Sequence, residues 1–384
     1  MQFEFSTVAK IVFGAGMLNS IGALLEQYGA RVLIVSGAPE ELSNRLLNQL
    51  NIMGVHCSLI KIEHEPTVVV VREVVELARK SVPSLIIGIG GGSALDTSKA
   101  IAALLTNPGD ITEYLEVIGA NKPLINPSLP LFAIPTTSGT GSEVTKNAVI
   151  GSPEHNVKVS LRSPYLLPQI ALIDPELTIS VPPSITATTG LDALTQLIEP
   201  FTCSSPNPLT DVLCLEGIHC VARSLWQAYD DGSNLHARED MSLASLFSGL
   251  ALANAKLGAV HGLAGPIGGE IPAQHGAICA SLLPKVMSTN ISALTNRSPG
   301  HPALERYAKI AKLLSGDPTA KADTAVHWVQ AFCQHAEIQT LSSFGLTESH
   351  FSKIIEKSFK ASSMKGNPII LTEAELRNIL QRSL

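Results

Sequence analysis

Residues 84–105 read SLIIGIGGGSALDTSKAIAALL. Leu85-Ile-Ile-Gly-Ile89 is a short, continuous apolar run, the pattern of a strand buried on both faces of a parallel sheet. It passes directly into Gly90-Gly-Gly-Ser93, and the spacing beyond predicts a helix from Ala94 to Leu105. Three glycines between strand and helix let a ligand approach the backbone. The helix N-terminus adds unpaired N–H groups and a partial positive charge, which suits a pyrophosphate. An ordinary tight turn fits the same residues. Neither GxGxxG nor GxxxxGK[ST] spacing occurs, which argues against a kinase or P-loop hydrolase.

The same alternation extends outward on both sides. Phe3–Phe13 reads as a strand-like edge hairpin and Met17–Tyr28 as a helix. Strand Arg31–Gly37, helix Glu40–Leu50, strand Cys57–Ile62 and helix Thr67–Lys80 follow. Downstream, the apolar Leu131–Ile134 feeds PTTSGTGSEVT (135–145), whose hydroxyls and glycines can donate to phosphate and ribose oxygens. Ile170–Asp174 reads as the last strand. From Pro182-Pro183 the pattern is helical throughout, with breaks expected at 203–207, 229–234, 262–272 and 296–302. The expectation is a doubly wound α/β domain over residues 1–182 and an all-helical domain over 183–384.

Composition narrows the function classes. The 384 residues are 45% hydrophobic and 16% charged, with a net charge of −6 and no basic tract, which argues against nucleic acid and anionic membranes. Six cysteines form no CxxC pair and read as free thiols in a reducing cytosol. The N-terminus lacks the apolar core of a signal peptide, and no uncharged run reaches membrane-spanning length. A soluble, cytoplasmic protein is expected.

One stretch stands out in the helical half, Asn254–Pro284, NAKLGAVHGLAGPIGGEIPAQHGAICASLLP. It predicts a helix ending near His261, a glycine- and proline-rich turn, and a second helix opening at His275. Upstream, Asp192 begins a helical pattern with Gln196 on its face at i+4. Two histidines and an aspartate are a plausible divalent-metal set, although each His also fits a structural role.

These motifs together resemble the iron-containing (group III) alcohol dehydrogenases over nearly the whole chain. FSTVAKIVFGAG, GGGSALDTSKA, PTTSGTGSEVT, GLDALTQLIE, the His261/His275 segment and NPIILTEAELRNIL occur in the family's order. The resemblance implies a dehydroquinate synthase-like fold and an NAD(P)-dependent alcohol dehydrogenase or carbonyl reductase. It implies that Gly91, Gly92 and Ser93 meet the pyrophosphate. Thr136, Thr137, Ser138, Thr140, Thr145, Asn147 and Lys158 would line the rest of the cofactor site. Asp192, His261 and His275 match three of four positions for a divalent ion, Fe2+ or Zn2+. The fourth is Gln196 where the family has histidine, and Gly265 replaces a further family histidine near substrate. Gln196 could complete a weak site through its amide oxygen, be replaced by water, or leave the site empty.

The family position that excludes a 2′-phosphate is Gly37, so NADP(H) is expected to bind at least as well as NAD(H). Lys158-Val-Ser-Leu-Arg162 resembles the Lys-x-x-x-Arg pattern of maleylacetate reductases, which suggests a metal-free reductase of an acidic carbonyl as the alternative. A dehydroquinate synthase-like lyase would need a cluster of basic residues, and none is evident. A non-catalytic binder would not call for two intact nucleotide loops. The resemblance and the N-terminal edge both imply a homodimer.

Overall fold

The computed structural model describes residues 2–29 and 31–384. Two compact units are present. Ser6–Thr137 and Gly141–Ile179 form one; residues 2–5, Ser138–Thr140 and Ser180–Leu384 form the other.

The first unit is the parallel α/β body expected from the pattern. Its elements run β1 (Lys10–Phe13), α1 (Ile21–Leu25), β2 (Arg31–Ser36), α2 (Glu40–Ile52), β3 (His56–Lys61), α3 (Val68–Ser81), β4 (Leu85–Gly90), α4 (Gly92–Leu104), β5 (Leu131–Pro135), β6 (Asn147–Ser152), β7 (Val157–Arg162) and β8 (Ile170–Ile173). Six strands pair in parallel in the order β1-β8-β5-β4-β2-β3. Alternation along β2 divides the core. Val32 and Ile34 pack with Leu46 and Leu50 of α2 on one face. Leu33 and Val35 pack with Val71 and Val75 of α3 on the other. Every residue of β4 and β5 is buried, which is why their sequences are apolar without alternation.

Connections leave the β2/β4 pair in opposite directions, since β3 flanks β2 on one side and β4 on the other. Ligands of open α/β sheets bind at the C-terminal ends of strands at such a switch point. Gly37 and Gly90 lie there. Gly90 has φ +145°, and a Cβ on it would sit 3.0 Å from the Gly37 backbone and 2.9 Å from Ala94 Cβ. Only glycine fits.

One expectation fails in this unit. Phe3–Phe13 is not a hairpin: only Lys10–Phe13 is a strand, and it pairs in parallel with β8 at the sheet edge. Residues 2–5 belong instead with the helical unit. After PTTSGTGSEVT comes an antiparallel hairpin of β6 and β7. Its alternation, buried at Ala148, Ile150, Val159 and Leu161, was present in the sequence.

Lys99 of α4 is fully buried and donates to Ser142 Oγ (2.8 Å), Thr145 Oγ1 (2.8 Å) and the Asn147 carbonyl (2.9 Å). All three ammonium protons are used. Asp96 Oδ1 stands 3.6 Å away. Burial lowers the Lys99 pKa against the pull of Asp96 and Glu143.

The second unit is helical: α5 (Pro183–Thr202), α6 (Pro208–Asp230), α7 (Leu235–Asn254), α8 (Ala259–Glu270), α9 (His275–Arg297), α10 (Pro302–Ser315), α11 (Ala322–His335), α12 (Phe351–Lys360) and α13 (Glu373–Gln381). Asp192 sits in the middle of α5, not at its start. α9 is long and apolar enough to cross a membrane, but 78% of that stretch is buried among the other helices, as befits a core helix.

The expected break at 262–272 is also corrected. α7 ends at Asn254, the chain bends by 93°, and α8 runs through Gly262, Gly265, Pro266, Gly268 and Gly269. His261 therefore stands in the first turn of a helix rather than at the end of one. Packing overrides propensity here. Val260, Leu263, Ala264 and Ile267 are buried, and a Cβ on Gly262 would meet Met364 side-chain and backbone atoms at 2.9–3.1 Å.

Glu143 provides a test of the α/β unit. Burial raises its carboxyl pKa to about 7, partly offset by its own backbone N–H and by Lys99. A folded-state pKa above the ordinary value gives stability that is complete at low pH and lost as pH rises through about 7. The Glu143→Gln variant lacks that loss. Its unfolding free energy should gain on that of the wild type between mildly acidic and mildly alkaline pH, by an amount on the order of 3 kcal/mol. A gap that stays constant with pH contradicts this.

Candidate metal centre and nucleotide loops

α5 carries Asp192, Gln196 and Glu199 at i, i+4 and i+7, one polar stripe on a buried helix. Such groups must find partners. Glu199 finds its partners at the start of α8, where the first N–H groups lack intrahelical acceptors. Oε1 accepts from the Val260 N–H (2.7 Å), while Asn367 Oδ1 accepts from Ala259 N–H (3.1 Å). A carboxylate at that end also complements the helix dipole. Gly258 precedes the helix because a Cβ there would meet Glu199 Oε1 at 2.9 Å and Asn367 Oδ1 at 3.1 Å.

This cap orients His261. The other Glu199 oxygen, Oε2, lies 2.7 Å from His261 Nδ1. A carboxylate only accepts, so Nδ1 is the protonated nitrogen and, in the neutral ring, Nε2 carries the lone pair. Nε2 points at Asp192 Oδ1, 3.7 Å away, and the same oxygen is 3.7 Å from His275 Nε2. Among the described residues, His261 Nε2 and Asp192 Oδ1 are buried without a hydrogen-bond partner. Leaving each such atom unsatisfied costs roughly 1–3 kcal/mol. Burial lowers the His261 pKa, but the Glu199 and Asp192 carboxylates outweigh it and the net shift is upward. A proton or a metal ion at this point would satisfy both atoms. An imidazole–carboxylate–imidazole donor set fits a divalent transition metal. Asp192, His261, His275 and Cys279 offer ligand atoms that all lie within 4.8 Å of one another.

Gln196 turns its amide oxygen to Ser248 rather than to Asp192. Its Nε2 donates to Asp192 Oδ2 (3.1 Å) and its Oε1 accepts from Ser248 Oγ (3.1 Å). The reverse orientation would set amide oxygen against carboxylate, so the nitrogen faces Asp192. Gln196 therefore positions Asp192, leaving Oδ1 toward the histidines. Gly265 follows His261 by one turn on α8.

The expected nucleotide residues are distributed as follows. Gly91 caps α4 and Gly92 and Ser93 form its first turn. The Thr136 N–H donates to the Gly90 carbonyl (3.0 Å), so the two loops adjoin. Thr137 Oγ1 lies 3.4 Å from where a Gly91 Cβ would be. Ser138, with Thr140, belongs to the helical unit; its hydroxyl is 3.2 Å from that of Ser242. Thr145 and Asn147 hold Lys99, and the buried Asn147 Oδ1 has no partner among the described residues. Lys158 pairs with Glu65, and the exposed Arg162 with Glu116 at 2.8 Å.

Three residues escaped the sequence reading. Glu199 could have been found from its i+7 spacing to Asp192. Cys279 follows His275 by four on one helix, a spacing that shares a face. Lys99 carried no signal, because a lysine in an alanine-rich helix reads as exposed.

The sequence profile "Iron-containing alcohol dehydrogenase" matches residues 8–175, and "Fe-containing alcohol dehydrogenase family, C-terminal" matches 186–384. A choline dehydrogenase of Bacillus subtilis is 33% identical, over 99% of this chain and 94% of its own length. An NAD-dependent methanol dehydrogenase of Bacillus methanolicus is 31% identical over 97% of each. The solved sulfoacetaldehyde reductase of Bifidobacterium kashiwanohense, in complex with NAD+, superposes with a TM-score of 0.85 at 27% identity, covering 100% of this chain and 99% of that one. With its fold, its motifs and these likenesses covering both units, the chain belongs to the iron-containing alcohol dehydrogenase family.

Proposed function

We propose that the chain is an NAD(P)-dependent oxidoreductase interconverting a small alcohol and its aldehyde or ketone. In this reading residues 1–182 bind the dinucleotide and 183–384 hold a divalent ion on Asp192, His261 and His275. The observation that carries it is the pair of buried, unpartnered atoms, Asp192 Oδ1 and His261 Nε2, facing each other at 3.7 Å. A divalent ion supplies Lewis acidity at the substrate oxygen while the nicotinamide gives or takes the hydride. The chain's residues do the rest. Asp192 contributes negative charge and His261 a lone pair, Glu199 keeps that lone pair on Nε2, and Gln196 fixes the carboxylate.

For the cofactor, the α4 N-terminus with Gly91, Gly92 and Ser93 suits a pyrophosphate. Thr136, Thr137, Ser138, Thr140, Thr145, Asn147 and Lys158 are assigned to the remainder. Gly37 follows β2 without a carboxylate, which supports acceptance of a 2′-phosphate. The Arg162–Glu116 pair leaves no free cation at that position, which speaks against an acidic-carbonyl reductase without metal. The relatives named above act on choline, methanol and sulfoacetaldehyde, so membership in the family leaves the substrate open. The reading includes a soluble cytoplasmic homodimer, for which the exposed edge strand β1 is the support.

Metal analysis of protein purified without chelator, followed by a carbonyl panel, tests the reaction. About one ion per chain is expected by the site's donor set. Asp192→Ala and His261→Ala should each lose the ion and at least a hundredfold in turnover, equivalent to about 2.7 kcal/mol, with the cofactor Kd unchanged. Full turnover in metal-stripped wild type overturns the reading. Cofactor choice is tested by the two dissociation constants. NADP(H) should bind within tenfold of NAD(H) or more tightly; a hundredfold preference for NAD(H), about 2.7 kcal/mol, contradicts the Gly37 argument.

A further inference from the structure

Cys279 lies one turn beyond His275 on α9 and is wholly buried. Its Sγ is 3.6 Å from His275 Nε2. It belongs to the four-residue cluster whose ligand atoms lie within 4.8 Å of one another. The cluster contains the two buried atoms without partners among the described residues, Asp192 Oδ1 and His261 Nε2. These atoms, not the cysteine alone, point to a bound cation.

The distances can be compared with those a tetrahedral ion requires. Bonds of about 2.3 Å to sulfur and about 2.0 Å to nitrogen or oxygen place N and S about 3.5 Å apart, and N and O about 3.3 Å apart. The observed separations are 3.6 Å for His275–Cys279 and 3.7 Å for each histidine to Asp192. For these three pairs a contraction of a few tenths of an ångström reaches the distances of a shared ion, and the remaining pairs lie within 4.8 Å. Gln196, the other candidate for a fourth ligand, is occupied by Asp192 and Ser248.

We propose that the Cys279 thiolate is the fourth protein ligand of the metal, with the substrate oxygen entering as a fifth, an inference that rests on the metal site of the proposed function. The thiol gives its proton to solvent on binding. One carboxylate, two imidazoles and one thiolate form a softer set than nitrogen and oxygen alone. They favour zinc or cobalt(II) over manganese(II) or magnesium. The resident ion of this chain is then thiophilic, and zinc is the expected metal.

Cobalt(II) added to metal-stripped full-length protein reads the bond directly, without turnover. The wild type should show a thiolate-to-cobalt charge-transfer band in the near ultraviolet together with visible d–d bands. In Cys279→Ser the d–d bands should persist and the charge-transfer band vanish. The zinc-over-manganese affinity ratio should fall at least tenfold. Cobalt bound to wild type with no charge-transfer band overturns the Cys279 assignment while leaving the metal site standing. A band that survives in Cys279→Ser assigns it to another cysteine and overturns the proposal equally. No cobalt bound to the wild type overturns the metal site itself. Because the wild-type spectrum alone can refute the thiolate bond, poor folding of the variant does not protect it.

Discussion

The contact between Glu199 Oε2 and His261 Nδ1, 2.7 Å long and buried, governs the helical unit's chemistry. A buried carboxylate beside an imidazole decides which ring nitrogen holds the proton, and so which one is left as a donor to an ion. The same carboxylate caps α8 through Val260, so one side chain determines where the helix starts, where His261 sits on it and which way its lone pair points. Gln196 does the corresponding service for Asp192, holding Oδ2 so that Oδ1 is free. Three residues on one stripe of α5 line the candidate centre, and α9 brings His275 and Cys279 beside it.

The α/β unit follows a different constraint, close approach of backbone. Gly90 and Gly37 touch at the C-terminal ends of β4 and β2, where the sheet's connections diverge. A side chain at Gly90 would fill the space in front of the α4 N-terminus. Beneath these loops the buried Lys99 ties Ser142, Thr145 and Asn147 together with three hydrogen bonds. Part of the hydroxyl-rich segment therefore also anchors a buried lysine.

Much of this was legible in the sequence. Buried parallel strands announce themselves as unbroken apolar runs, and GGGS after one of them marks the turn. Asp192, His261 and His275 stand out in the sequence, and the structure brings all three together. Failures arose where tertiary contacts defeat local rules. The glycine- and proline-rich 262–272 segment is helical because Met364 and the surrounding core require a thin helix there. The β6–β7 hairpin was overlooked because its hydroxyl-rich lead-in drew the reading toward a loop. Phe3–Phe13 looked like a hairpin on β-propensity alone, whereas only its last four residues find a strand to pair with. Glu199 and Cys279 were missed because their roles depend on partners on other helices. Helical periodicity gives the shared face but not what faces it.

The central claim is that Glu199 prepares His261 as a neutral donor and that Asp192 meets it at one ion. Neutron diffraction from deuterated, zinc-loaded crystals tests this most directly. The account predicts deuterium on His261 Nδ1 toward Glu199 and none on Nε2. It also predicts an ion about 2.0–2.2 Å from both Nε2 and Asp192 Oδ1. Deuterium on Nε2, hydrogen-bonded to Asp192 with no ion between them, would contradict it.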